Sequence, residues 1–399
     1  MTRDLRTART GAVLTFVLAG LLCGSMTVRI PALSDKLGLS EASVGVVLLV
    51  WGLGALVTMQ SMRAVMTRVG SRSVLRVAAP LAAITLIMLA LAPSFPAVLV
   101  ASGLFGMAFG AVDVAMNAQG SAVERAHGRP LMNGMHAGWC AGAISAGLLG
   151  AAAIAAGLPV TVHLTLIALL VLPAAAFAGR TCLPDAAPSP GRGGTAPATR
   201  RRMPPVVYLL GVIAFCAFMV EGTIADWNGL YLRDVLGAPE ATAALGYPIF
   251  EAGMLAGRLA GDRVRARSGA RGMMIVSGLA TAVTFGVVLI APTAPVAVSA
   301  MLFVGVAVAT VSPMAMSLAG GATADPGPSI AQTGAMGYAG LLLGPVVVGF
   351  LADVATLRAG LGVAVLLGVL IAALAWFLPR SRTSAVPVER APRELSMAA

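Results

Sequence analysis

Twelve apolar segments of membrane-spanning length run through this chain, beginning near Gly11, Val44, Val74, Pro96, Met132 and Val160, then again near Pro205, Thr242, Met273, Val296, Ile330 and Leu357. A helix needs about 20 apolar residues to cross the hydrocarbon core of a bilayer. In lipid each backbone N–H and C=O must also be paired within its own segment. The segments therefore predict an all-α polytopic membrane protein of 12 transmembrane helices in two sets of six. Composition agrees: 58% of the 399 residues are hydrophobic and 11% charged, with a mean hydropathy of +0.91, far from soluble domains. The 47 glycines follow no collagen-like period. They suit helices that must approach closely because lipid provides no hydrophobic force between them.

The distribution of basic residues orients the chain. Of its 27 Lys and Arg, all but Arg29, Lys36, Arg233 and Arg358 fall on one side of this layout, which is then the cytoplasmic side. Both termini lie there, and the net charge of +11 reports topology rather than nucleic-acid binding. Arg3, Arg6 and Arg9 precede an apolar run longer than a signal-peptide core, so the first span is expected to be retained. Residues 181–204, rich in Pro, Gly and Arg, read as a cytoplasmic linker between six-helix bundles at 1–180 and 205–379, with a polar tail at 380–399. Cys23, Cys140, Cys182 and Cys216 show no C-x-x-C pairing, and neither a disulfide framework nor a metal site is expected.

The two sets of six repeat each other at an offset of about 199 residues. Arg68-Val-Gly70-Ser-Arg72 answers Arg267-Ser-Gly269-Ala-Arg271, and Pro93-Ser-Phe-Pro96 answers Pro292-Thr-Ala-Pro295. Leu37-Gly38 answers Leu236-Gly237, while Gly106, Gly138 and Gly150 match Gly305, Gly337 and Gly349. One six-helix unit has been duplicated in parallel.

With this architecture the chain resembles the major facilitator superfamily (MFS) of transporters over nearly its whole length. The family's loop motif appears in variant form as Gly257-Arg258-Leu-Ala-Gly261-Asp262-Arg263 with Arg267, Gly269 and Arg271. The first-half loop has Arg63 and Thr67 where glycine and aspartate are usual. Arg29-Ile-Pro31-Ala-Leu33, Asp113-Val-Ala-Met-Asn117 and Glu221-Gly-Thr-Ile-Ala-Asp226-Trp227 resemble a bacterial permease branch distantly similar to fucose permease. The resemblance implies a central cavity lined by helices one, four, seven and ten. For Gly257, Arg258, Asp262 and Arg263 it implies a cytoplasmic gating loop, with Asp262 in an interdomain charge contact. Gly340-Leu-Leu-Leu-Gly344-Pro345 resembles the glycine–proline motif that antiporters of this superfamily carry on helix five, here displaced to helix eleven.

Intramembrane polar residues supply the candidates for substrate and proton binding, since a charge at mid-bilayer is costly unless it faces protein or water. Gly106, Gly110, Asp113 and Asn117 share one helix face, spaced i, i+4, i+7 and i+11. Asp113 is a candidate for a proton or a substrate hydroxyl, although counting places it off-centre toward the cytoplasm; a structural hydrogen-bonded carboxylate is the alternative. Glu221 lies about 24 Å into its helix and is a second candidate. Glu251 is the deepest acid by counting, and His136, near Asn133 and Cys140, is a possible shuttle. Arg29 and Asp226 are gate candidates, with Arg29 expected either to snorkel outward or to bridge to Glu221 or Asp226.

There is no Gly-x-x-x-x-Gly-Lys phosphate loop, no His-Glu-x-x-His and no soluble region large enough for an ATPase, so neither an enzyme nor a nucleotide-driven pump is indicated, and no cofactor is expected. The expectation is a monomeric, proton-coupled secondary transporter of a small organic solute, sugar-like in polarity, in the cell membrane. Drug or metabolite efflux by proton antiport is the alternative within transport, and a transporter-like membrane sensor the alternative outside it.

Overall fold

The computed structural model describes residues 3–128, 131–184, 203–323 and 326–379; most of the expected linker, the expected tail and the loop at Asp325 lie outside them. Described residues form helices with no strand. In the first half these are α1 (Arg3–Val28), α2 (Ile30–Leu37), α3 (Glu41–Val69), α4 (Ser71–Leu91), α5 (Phe95–His127), α6 (Met132–Ala155) and α7 (Val160–Thr181). In the second they are α8 (Pro205–Leu230), α9 (Glu240–Ala243), α10 (Gly246–Ile290), α11 (Ala294–Val308), α12 (Val311–Gly321), α13 (Pro326–Val354) and α14 (Leu357–Ala375), with one π turn at Tyr231–Val235 after α8. Among the described residues, eleven helical stretches are long and apolar enough to span a membrane. The twelfth span is the first part of α10, residues 246–268, which Glu251, Arg258, Asp262, Arg263 and Arg265 make too polar to qualify by hydropathy. It starts at Gly246, after the short α9, and not at Thr242 as the apolar pattern suggested.

Breaks between helices follow local chemistry. Gly269 inside α10 has φ 68°, and Gly70 between α3 and α4 has φ 80°, a left-handed value that only glycine adopts freely. These are equivalent positions of the repeat, each turning the chain between a span and the next. Gly38 and Gly237, also equivalent, have φ of 60° and 65°. Ser40 and Thr356 cap α3 and α14 by accepting from the main-chain N–H of Ser43 and Ala359. The carbonyls ending α4 have no basic residue in their own last turn; Lys36 of α2 donates to Ala90 O and Ala92 O at 2.7 and 2.9 Å.

Packing repeats as faithfully as sequence. A Cβ on Gly106 would strike the Trp51 carbonyl oxygen, and one on Gly305 would strike that of Phe250. Likewise Gly54 sits on the Gly103 carbonyl and Gly253 on that of Leu302. Both members of each pair differ by the same offset, so α3 against α5 and α10 against α11 are one interface used twice. α1 packs on α6 as α8 packs on α13. Between the halves, α3 meets α13 and α6 meets α10.

Candidate functional site

Between the two bundles lies a cavity of about 290 Å³. Its walls carry Asp113 of α5, His136 and Trp139 of α6, Glu221 and Asp226 of α8, Glu251 and Arg258 of α10, and Tyr338 of α13. Most of the remaining lining is apolar or aromatic, including Trp51, Phe109, Phe218 and Phe250. The helices contributing are therefore spans one, two, four, five, seven, eight and eleven. Span ten, expected to line the cavity, reaches it only indirectly: Ser312 of α12 donates to Glu221 Oε1 at 2.9 Å.

Asp113 accepts from the Tyr338 hydroxyl at 3.3 Å, a hydrogen bond between the two halves of the molecule. Asn117 does not line the cavity; its amide donates to the Asp113 main-chain oxygen at 2.8 Å and to Oδ1 at 3.3 Å, fixing that carboxylate from one turn below. Asp113 is not displaced from the middle of its helix, as counting suggested. α5 runs 33 residues, about 50 Å, and extends to His127, so residue 113 falls near its centre.

Glu251 is buried, with Tyr247 and Cys140 beside it. Arg258 was expected in a cytoplasmic loop, but it lies on the cavity wall, half-buried, donating to Cys140 Sγ at 3.5 Å across the two halves. The physical reason is continuity of helix: nothing breaks α10 before Gly269, so Arg258 remains more than two turns inside it. Glu221 and Glu251 are within electrostatic reach of its guanidinium. Gly257 packs against the Val306 carbonyl and Ala309 as part of the α10–α11 interface. The side chains of Asp262 and Arg263 lie outside the described residues.

Arg29 pairs with neither Glu221 nor Asp226, and it does not snorkel. It is 3% exposed, donates to the Leu158 carbonyl at 2.9 Å and stands 3.9 Å from Glu240 of α9. Arg29 stands at the break between α1 and α2, as the N-cap of α2 with Pro31 in its first turn, and its side chain reaches across the molecule rather than outward. Asp226 lines the cavity with Glu221 instead of meeting Arg29. His136 also lines it, in edge contact with Phe16 at 5.0 Å between ring centres.

Tyr338, Tyr247, Trp51 and Phe250 were not singled out from sequence. The repeat held the signal: Trp51 and Phe250 are equivalent positions, as are Trp139 and Tyr338, and all four line the cavity. The charges break that symmetry. Glu221, Asp226, Glu251 and Arg258 occupy positions equivalent to Leu22, Thr27, Gly52 and Met59, while Asp113 answers Ser312.

The family model described as the Major Facilitator Superfamily matches residues 12–329. An uncharacterized transporter, y4wD, of Sinorhizobium fredii is 35% identical over 377 residues, covering 94% of this chain and 98% of that protein. Among solved structures, a D-xylose–proton symporter superposes with a TM-score of 0.75 at 17% identity, covering 94% of this chain and 98% of the other. The nucleoside transporter NupG gives 0.70 at 16%, with the same coverage.

Proposed function

Because this chain belongs to the major facilitator superfamily and is a multi-pass membrane transporter of that type, we propose that it moves a small polar organic solute by proton-coupled alternating access through the central cavity. The observation that carries this reading is the gathering of Asp113, Glu221, Asp226 and Glu251 around one cavity between the halves. A carboxyl group there can take a proton from one side and release it to the other when the halves rock. Contacts between halves cluster toward the end that the basic-residue count makes extracellular. Asp35 meets Arg233, Pro31 meets Gly229, Gly147 meets Pro248, and Gly349 meets Gly45. Gly134, at the opposite end of α6, has no atom of the described residues within 4 Å of where a Cβ would stand. This arrangement fits a state closed outside and open to the cytoplasm. The reading includes residence in the cell membrane with both termini cytoplasmic, action as a monomer, and two bundles at 1–180 and 205–379 joined by a linker.

A D-xylose–proton symporter and a nucleoside transporter share this fold, so a sugar-like solute is the first class to screen. Efflux by antiport is the second reading; the Gly340, Gly344 and Pro345 pattern lies on α13, the pseudo-symmetric counterpart of the helix that carries it in antiporters, and that displacement weakens the case for efflux. The test uses purified protein in liposomes enclosing a pH-sensitive dye. A transported solute should move protons with it in the wild type, and Asp113→Asn, Glu221→Gln or Glu251→Gln should retain solute exchange while losing proton movement in at least one case. Normal coupling in all three variants, or no proton movement with any transported solute, refutes the carboxylate mechanism.

A further inference from the structure

The cavity sets carboxylates against aromatic rings with few cations to match. Ion pairs among the described residues are Arg29 with Glu240 and Arg233 with Asp35 and Asp234; none involves Asp113, Glu221, Asp226 or Glu251. Asp113 and Glu221 are met by neutral hydroxyls, those of Tyr338 and Ser312. Asp226 has no hydrogen-bond or ion-pair partner among the described residues and is partly exposed to the cavity. Besides Arg258, His136 is the other basic side chain on the walls. The N-terminal half contributes a run of rings, with Trp51 and Phe109 centred 5.9 Å apart and Phe109 and Trp139 5.8 Å. The indole N–H of Trp51 is buried and has no hydrogen-bond partner among the described residues.

We propose that the solute is a small hydroxylated amine, bound as its ammonium ion with Asp226 as the principal counter-charge; this rests on the reading of the cavity as a transport site. An ammonium group offers three donors and a full charge, giving charge-assisted hydrogen bonds to the carboxylate. It also gains from the faces of the surrounding rings. Carboxylates withdrawn from bulk water need such compensation, and among the described residues no cationic side chain stands within 4 Å of these four. A neutral sugar leaves Asp226 uncompensated, and an anion meets four carboxylates. The hydroxyls of the solute have partners in Tyr247, Thr27 and Arg258, and about 290 Å³ suits a molecule near the size of a monosaccharide.

Thermal unfolding of the full-length protein in detergent tests this with matched sets: glucosamine, glucose and N-acetylglucosamine, and tyramine with 2-(4-hydroxyphenyl)ethanol. Binding to the native state raises the unfolding temperature. Amines are expected to bind at least tenfold tighter than their alcohol or amide counterparts, with the preference falling below threefold in Asp226→Asn and surviving in Asp226→Glu. Should Asp226→Asn fail to fold, Glu221→Gln and Asp226→Glu are compared, the former keeping more of the preference than it would if charge were shared evenly. Equal or better binding of a neutral member overturns the proposal, because the carboxylates are then neutralised by protons alone; so does a panel in which no amine raises the unfolding temperature. A neutral solute that binds and exchanges across liposomes overturns the amine assignment while leaving the transporter reading intact. An amine that binds but never exchanges does the reverse.

Discussion

Gly106 and Gly305 each place a backbone Cα against a carbonyl of the neighbouring helix, that of Trp51 in one half and Phe250 in the other. A carbonyl in the middle of a helix has no rotamer to change, so a methyl group added there must push two helices apart. Gly106→Ala and Gly305→Ala are each expected to destabilise the protein by about 1–3 kcal/mol, the range for overpacked cores. Gly134→Ala, where no atom of the described residues lies within 4 Å, should be neutral or slightly stabilising. Thermal unfolding in one detergent compares the three. Equal shifts would show that the glycines are fillers rather than contacts. At this scale the repeat made Gly106 visible as scaffold in the sequence, whereas Tyr338 was not visible as a partner of Asp113. The two lie in different halves, and no local pattern in either encodes their meeting.

Elements at the outer end are tied by contacts of unequal strength. Arg233 of the π turn holds Asp35 of α2 in a bidentate pair at 2.6 and 3.1 Å, but the Asp35 side chain is 65% exposed. Solvent screens such a pair to about 0.2–1 kcal/mol, so Arg233→Gln should change the ratio of outward-open to inward-open protein by less than about fivefold. Arg29 is buried and is held by the Leu158 carbonyl as well as by Glu240. Arg29→Gln is expected to shift the same ratio further. Reaction rates of a single cysteine introduced in the cavity with an impermeant maleimide, applied from each side, measure both. A larger effect from Arg233→Gln would contradict this ranking. Lys36 terminates α4 from outside it, but its side chain is exposed, so Lys36→Met should cost about 0.5–1.5 kcal/mol, with unfolding temperature as the readout.

Across the whole molecule, alternating access requires the contacts between halves at the outer end to break in each cycle. A Cys pair replacing Asp35 and Arg233, joined by a short bismaleimide, should stop solute exchange, while the same pair without cross-linker, or with either cysteine alone, should retain it. Undiminished exchange in the cross-linked protein would refute rocking of the halves. The twelve spans, their grouping by six, the duplication and the glycine interfaces were all legible in the sequence, because lipid permits few ways to bury a backbone and a repeat leaves its period in the order of residues. The acidic candidates were legible one at a time, since each is anomalous in an apolar segment. That Asp113, Glu221, Asp226 and Glu251 share a cavity, that Arg258 joins them from a helix whose basic residues resemble a loop, and that Arg29 turns instead to Glu240 were decided by tertiary structure. A sequence records which side chains a helix carries. Which of them face each other depends on how the two halves are rotated about their common axis, and that rotation is fixed by packing between α3 and α13 and between α6 and α10, far apart in the chain.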